Sequence, residues 1–376
     1  MQVYDFSDLS SAGAQYFNSV GVWPYIYSTY INSSPSYNSN YTNVSLTLAA
    51  VGNVGQASLE VTGNDLYSNY GTLNSGVITI PELGTIRLSG MSLSVYEFNN
   101  YDFSDLEGGF AEKVIGSQYD DYYYGYAGND KIYGNSGNDN LYGGYDNDLL
   151  VGGEGHDTLI GGSGRDSMIG GTGNDIYIVE NVNDTITENY SEGTDTIQSS
   201  VTYTASQNIE KLMLTGSYDI NGSGNNSANT IIGNSGSNTL RGVEGSDTLN
   251  GDAGNDILNG GLGNDRLVGG SGTDTAVFSS KNNTVNLGFT ARQNTGDGRD
   301  ILTGIENVNG GAGNDTITGS RSANTLTGGD GFDTITGGSG GDKFCIGTGV
   351  GRDIIKDYGN GNERIKLLNG LTESDL

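Results

Sequence analysis

Apolar residues return at every ninth position between Gly116 and Ile178: Tyr123, Ile132, Leu141, Leu150, Leu159, Met168 and Tyr177. Two residues ahead of each stands an aspartate, namely Asp121, Asp130, Asp139, Asp148, Asp157, Asp166 and Asp175. The unit reads Gly-Gly-x-Gly-x-Asp-x-U-x, with U apolar, and its positions are called places one to nine below. A fixed period of this kind predicts a repeat architecture. The x-U-x triplet has room only for a very short strand, with U pointing inward and its neighbours outward. Glycines at places one, two and four supply the left-handed backbone of a tight turn. Two units then form one coil of a flattened solenoid, with a turn on each side.

Asp121, Asp139, Asp157 and Asp175 fall on one edge of such a solenoid, and Asp130, Asp148 and Asp166 on the other. Neighbours on an edge lie one strand spacing apart, about 4.8 Å, where two carboxylates repel by about 3 kcal/mol at an effective dielectric near 20. One apolar side chain per nine residues cannot offset both this repulsion and the ordering of a glycine-rich backbone. A hard cation held by carboxylates and turn carbonyls of adjacent coils meets the need. Calcium fits irregular all-oxygen cages, whereas magnesium keeps its waters.

The period returns twice. From Gly224, place six is Asn229, Asn238, Asp247, Asp256, Asp265 and Asp274, and place eight is Ile231, Leu240, Leu249, Leu258, Leu267 and Ala276. A third run has Asp315, Asn324, Asp333 and Asp342 at place six. The carboxylates are the expected ligands, with Asn229, Asn238 and Asn324 as weaker ones because a neutral amide oxygen replaces a charge; the sites at Asn229 and Asn238, where a roll begins, are expected to be weaker or empty. Their partners are the turn carbonyls around Gly128, Gly137, Gly155, Gly164, Gly173, Gly245, Gly254, Gly263, Gly272, Gly313, Gly331 and Gly340.

The stretch Gly152 to Val179, GGEGHDTLIGGSGRDSMIGGTGNDIYIV, resembles the RTX, or haemolysin-type, calcium-binding repeat family over residues 113–367. That resemblance implies an all-β, calcium-filled parallel β-roll and roughly ten calcium ions. It also implies export by a type I secretion system, which reads an uncleaved C-terminal signal. The segment Gly193 to Gly216 resembles the wider spacer coils of the family, expected to continue the solenoid without metal. Asp353 to Leu367 resembles its closing segment. Family members run on past such a segment, so the expectation is of a truncated tail with an incomplete export signal.

The resulting domain plan is an all-β region at 1–110, repeat blocks at 111–179, 224–278 and 310–345, spacers at 180–223 and 279–309, and a capping segment at 346–376. In the first hundred residues Ser45 to Val51, Ala57 to Val61, Val77 to Leu88 and Met91 to Phe98 read as strands. The hexapeptide YDFSDL occurs at Tyr4 to Leu9 and again at Tyr101 to Leu106, as at the edges of a module. Trp23, Tyr25, Tyr27, Tyr30, Tyr37 and Tyr41 read as core residues in preference to a sugar-stacking surface.

Composition alone resembles a disordered acidic chain: 34% hydrophobic residues, 64 glycines and a net charge of −29. The phase-locked apolar place overrules that reading for the calcium-bound state. No basic patch points to nucleic acid, nothing reads as a transmembrane span, and the N-terminus lacks the pattern of a signal peptide. The single cysteine, Cys345, excludes an internal disulfide framework. His156 falls at a variable place five and reads as a solvent-facing turn residue. There is no HExxH stretch, EF-hand loop or phosphate loop. The expectation is a non-enzymatic, secreted, extracellular calcium-binding protein that serves as a structural or adhesive surface module, with surface glycans or surface proteins as further partners. The alternative is the accessory portion of a polysaccharide-acting or hydrolytic enzyme whose catalytic domain lies outside this chain.

Overall fold

The computed structural model describes residues 111–368, apart from 112, 280, 348–350 and 360–361, together with the backbone of short strands between residues 4 and 94. There is no helix among the described residues, and so none long and apolar enough to cross a membrane. The chain divides into two compact units, Met1–Thr187 and Glu188–Leu376.

In the first unit Tyr4–Asp5 pairs antiparallel with Ser45–Leu46, and Ser58–Glu60, Thr72–Ile80 and Gly84–Ser94 form an antiparallel sheet. Ser45–Leu46 and Ser58–Glu60 fall within the expected strands at 45–51 and 57–61, and Thr72–Ile80 and Gly84–Ser94 both overlap Val77 to Leu88; the rest of those ranges lies outside the described residues. Both copies of YDFSDL, apart from Tyr4 and Asp5, and the aromatic cluster from Trp23 to Tyr41 lie outside the described residues.

From Lys113 the pairing turns parallel. Lys113–Ile115, Lys131–Ser136, Leu149–Glu154, Ser167–Thr172 and Thr185–Thr187 make one sheet. Tyr122–Tyr124, Asn140–Tyr145, Thr158–Ser163 and Ile176–Val179 line up as a second set. Each strand pairs with the one eighteen residues on, so Ile132, Leu150 and Met168 share a column, as do Leu141, Leu159 and Tyr177. These six are at most 1% exposed and fill the space between the two sets of strands. A one-residue slip would turn every one of them outward, so the apolar period fixes the register.

The second unit repeats the plan with irregular coil lengths. One column runs Ile197, Leu212, Ile231, Leu249, Leu267 and Leu302; another runs Leu240, Leu258, Ala276, Val308, Leu326 and Phe344. The spacers therefore do continue the solenoid, contributing Thr196–Ser199, Lys211–Leu214 and Arg299–Thr303. The step from Leu267 to Leu302 is the long one, and the extra chain folds Gln293–Asn294 antiparallel onto Arg299–Thr303. That hairpin covers a sheet edge. In the closing segment, Ile354–Ile355 and Arg364–Leu367 add further parallel strands. Cys345, at the outer strand place that follows Phe344, is nonetheless buried at 6% exposure and free.

Candidate metal centre

Every place-six aspartate of the repeats is buried, at 4% exposure or less. The turn ahead of it and the strand behind it dictate the position. The x-U-x strand anchors place eight in the core, which holds place six at the point where the turn enters the sheet. Parallel stacking at the eighteen-residue period then sets each carboxylate against the coil before it.

One oxygen of each carboxylate is consumed by that stacking. Oδ1 of Asp139 accepts the Asp121 N–H at 2.7 Å, and Oδ1 of Asp157 accepts that of Asp139 at 2.8 Å. On the other edge Asp148 accepts from Asp130 and Asp166 from Asp148, both at 2.8 Å. The two edges predicted from the sequence are thus both present. In the second unit Asp265 accepts from Asp247 at 2.9 Å and Asp274 from Asp256 at 2.8 Å. Asp333 likewise accepts from Asp315 at 2.8 Å.

The second oxygen is different. Oδ2 of Asp139, Asp148, Asp157, Asp166, Asp247, Asp256, Asp265, Asp274, Asp315, Asp333 and Asp342 is buried and has no hydrogen-bond partner. A buried anionic oxygen left bare costs several kcal/mol, so a native chain holds one only where something else meets it. Burial accordingly pushes up Asp139, Asp148, Asp157, Asp166, Asp247, Asp256, Asp265, Asp274, Asp315 and Asp342. Asp139 and Asp148 rise to about 8, with neighbouring carboxylates adding to burial and the accepted N–H opposing it. Asp265 rises to about 7, and Asp247, Asp256 and Asp315 to about 6, again chiefly through burial.

Carbonyl oxygens converge on the same place. A methyl group on Gly125, at place one, would sit 2.5 Å from Asp130 Oδ2 and 2.5 Å from the carbonyl oxygen of Gly143, one coil further on. Gly152 and Gly310 repeat the arrangement with Asp157 and Gly170, and with Asp315 and Gly328. Place one is therefore glycine because a side chain there would fill the cradle. Bare carboxylate oxygens, neighbouring carbonyls and an acidic edge are the donor set of a hard divalent cation. The repeat aspartates fit calcium, with Oδ2 and the carbonyls of adjacent coils as the atoms that would hold it. Bound there, calcium would neutralise the stacked charge and tie one coil to the next.

The turns at Asp121, Asn229, Asn238 and Asn324 share the carbonyl arrangement at place one but differ at the place-six side chain. Asp121 Oδ2 accepts the Ser117 N–H at 2.6 Å. The amide nitrogens of Asn229, Asn238 and Asn324 donate to the carbonyls of Ile209, Ile220 and Glu306.

Other acids take the place-six role without the glycine signature. Asp184 accepts the Asp166 N–H at 3.1 Å and Glu210 accepts that of Asp195 at 2.8 Å. Asp300 accepts from Asp265, Glu306 from Asp274 and Asp353 from Asp333. Sequence reading passed over all five. Asp184 stands eighteen residues after Asp166 and could have been found by the period alone; the others lie at irregular spacings that only the folded coil brings into line.

A parallel ladder runs outside. His156 is exposed, as expected for its place, and its Nδ1 accepts the Asn174 N–H at 2.8 Å, while its own N–H is bonded to Asn138 Oδ1 at 2.8 Å. Asn147 serves Arg165 in the same way. Where place five carries an acceptor, as at Asn138, Asn147 and His156, it ties its coil to the next.

The signature of the RTX calcium-binding nonapeptide repeat (4 copies) matches residues 115–150, 142–177, 151–186, 223–242, 241–276, 309–344 and 318–355. No curated protein matches the chain.

Proposed function

As this chain belongs to the RTX calcium-binding nonapeptide-repeat family across residues 115–355, we propose that it is a secreted protein whose coils assemble on extracellular calcium and then serve as a structural or adhesive surface module. The observation that carries the reading is the row of buried, unpartnered Oδ2 atoms facing carbonyls of the neighbouring coil. Where calcium is scarce, as inside a cell, the acidic edges repel and the chain stays unfolded, a state suited to type I export. Outside, ion binding and folding are one equilibrium, drawn forward by mass action. The reading assigns no catalytic role to any residue of the chain.

The test is a calcium titration of chelated full-length protein, followed by far-ultraviolet circular dichroism. A coil-like spectrum should become a β spectrum at about millimolar calcium, the range of extracellular modules, and magnesium should not substitute. An unchanged spectrum up to ten times that concentration (about 10 mM) would overturn the proposal.

A further inference from the structure

Four of the repeat turns share a construction found in none of the other repeat turns. Place two is Ser117, Asn225, Asn234 or Ser320, and its N–H turns inward onto the side-chain oxygen of place six. The bonds are Ser117 to Asp121 at 2.6 Å, Asn225 to Asn229 at 2.8 Å, Asn234 to Asn238 at 2.9 Å and Ser320 to Asn324 at 2.7 Å. The place-two side chain in turn accepts the place-four N–H. Tyr119 donates to Ser117 Oγ at 3.1 Å, Ser227 to Asn225 Oδ1 at 2.8 Å, Gly236 to Asn234 Oδ1 at 2.9 Å and Ser322 to Ser320 Oγ at 3.1 Å.

Backbone conformation separates the two kinds of turn. None of these four turns has a positive φ at place two or place four. The other repeat turns have it at both, as at Asn135 (77°) with Gly137 (117°) and Gly153 (120°) with Gly155 (136°). The left-handed form persists where place two is not glycine: Tyr126, Val243 and Asp252 have φ of 67°, 90° and 71°. A β-branched residue at such a φ is strained. The strain goes with the open turn, as at Val243 and Asp252, where Oδ2 of Asp247 and of Asp256 stays bare.

We propose that the turns at 116–121, 224–229, 233–238 and 319–324 are cation-free latches, closed by their own N–H groups, and that calcium enters only the left-handed turns. This rests on the calcium-binding reading above and sharpens it. An inward N–H occupies the oxygen a cation would need. In the three asparagine latches the Nδ2 group also presents protons to the preceding coil's carbonyls, at 2.7, 2.6 and 2.6 Å for Asn229, Asn238 and Asn324. Asparagine at place six is here a replacement for the ion, and no weak ligand for it.

The test counts calcium per full-length chain by native mass spectrometry at saturating calcium. Asn238→Ala should leave the count unchanged, whereas Asp157→Ala should lower it by at least one. Opening a latch with Asn234→Gly/Asn238→Asp, or with Ser320→Gly/Asn324→Asp, should raise it by one. A lower count for Asn238→Ala, or no gain in an opened variant whose β spectrum is intact, would overturn the latch. If the unaltered chain holds no calcium at all, the parent reading fails instead, and the two failures are distinct.

Discussion

Replacing Asp148 by asparagine separates the two jobs of a repeat carboxylate. Asp148 is 3% exposed; its Oδ1 accepts the Asp130 N–H at 2.8 Å and its Oδ2 has no partner. Asparagine keeps an oxygen for that N–H and removes the charge. With Asp130 and Asp166 one coil away on either side, at about 4.8 Å, each ionised pair repels by about 3 kcal/mol at an effective dielectric near 20. Asp148→Asn therefore relieves at most about 6 kcal/mol in the metal-free coil at high pH. It also removes a charged ligand that calcium needs. The free calcium at the folding midpoint should rise at least tenfold, or about 1.4 kcal/mol. Residual β signal in chelator at pH 9 should increase at the same time. Both are read from circular dichroism in calcium buffers. Combination with Asp166→Asn, on the same edge, should be strongly non-additive, and with Asp157→Asn, on the other edge, nearly additive. A midpoint that stays or falls in a folded Asp148→Asn chain would refute the reasoning.

Asp139 and Asp148 are pushed up to about 8 from an ordinary value of 3.8, so the metal-free coil binds more protons than the unfolded chain. Its stability is greatest below about pH 4 and is lost as pH rises through 8. Circular dichroism in chelator should show more β structure at pH 4.5 than at pH 8; equal β content at the two pH values would count against this. Val243→Gly removes a strained left-handed valine that is 40% exposed. Relief of about 1–2 kcal/mol against a glycine entropy cost of about 0.5–1 kcal/mol predicts slight stabilisation in urea unfolding with calcium present, and a clear loss would contradict it. Gly161→Ala puts a methyl group 2.5 Å from Asp166 Oδ2, so the chain should lose at least one bound calcium by mass spectrometry while its other edge continues to bind.

Places six and eight were legible because one period governs both chemistry and packing. Ile132, Leu150 and Met168 stack where the apolar pattern puts them, and Asp139 meets Asp157 at the expected interval. What escaped was set by contacts rather than by spacing. Glu306 reaches the Asp274 N–H across thirty-two residues, and Asp300 reaches that of Asp265 across thirty-five. Nothing local marks either. The asparagines were ambiguous for another reason: an amide has both an acceptor and a donor end, and only the folded turn shows that Asn238 offers its nitrogen to Ile220. The decisive residue there is Asn234 at place two, whose backbone conformation cannot be read from the glycine count alone.

The side-chain ladders also have a direction. On the inner row the later coil supplies the acceptor and the earlier coil the donor, as with Asp157 for Asp139; on the outer row the earlier coil accepts, as His156 does from Asn174. The inner and outer rows thus run head to tail against each other. Neither face of a coil is purely donating or purely accepting, and a neighbour stacked upside down would set N–H against N–H. Asp357 meets this requirement in the closing segment, taking the N–H groups of Gly337 and Gly338 at 2.8 Å each. A coil stack of this kind carries an arrow, and two such stacks could join end to end in only one orientation.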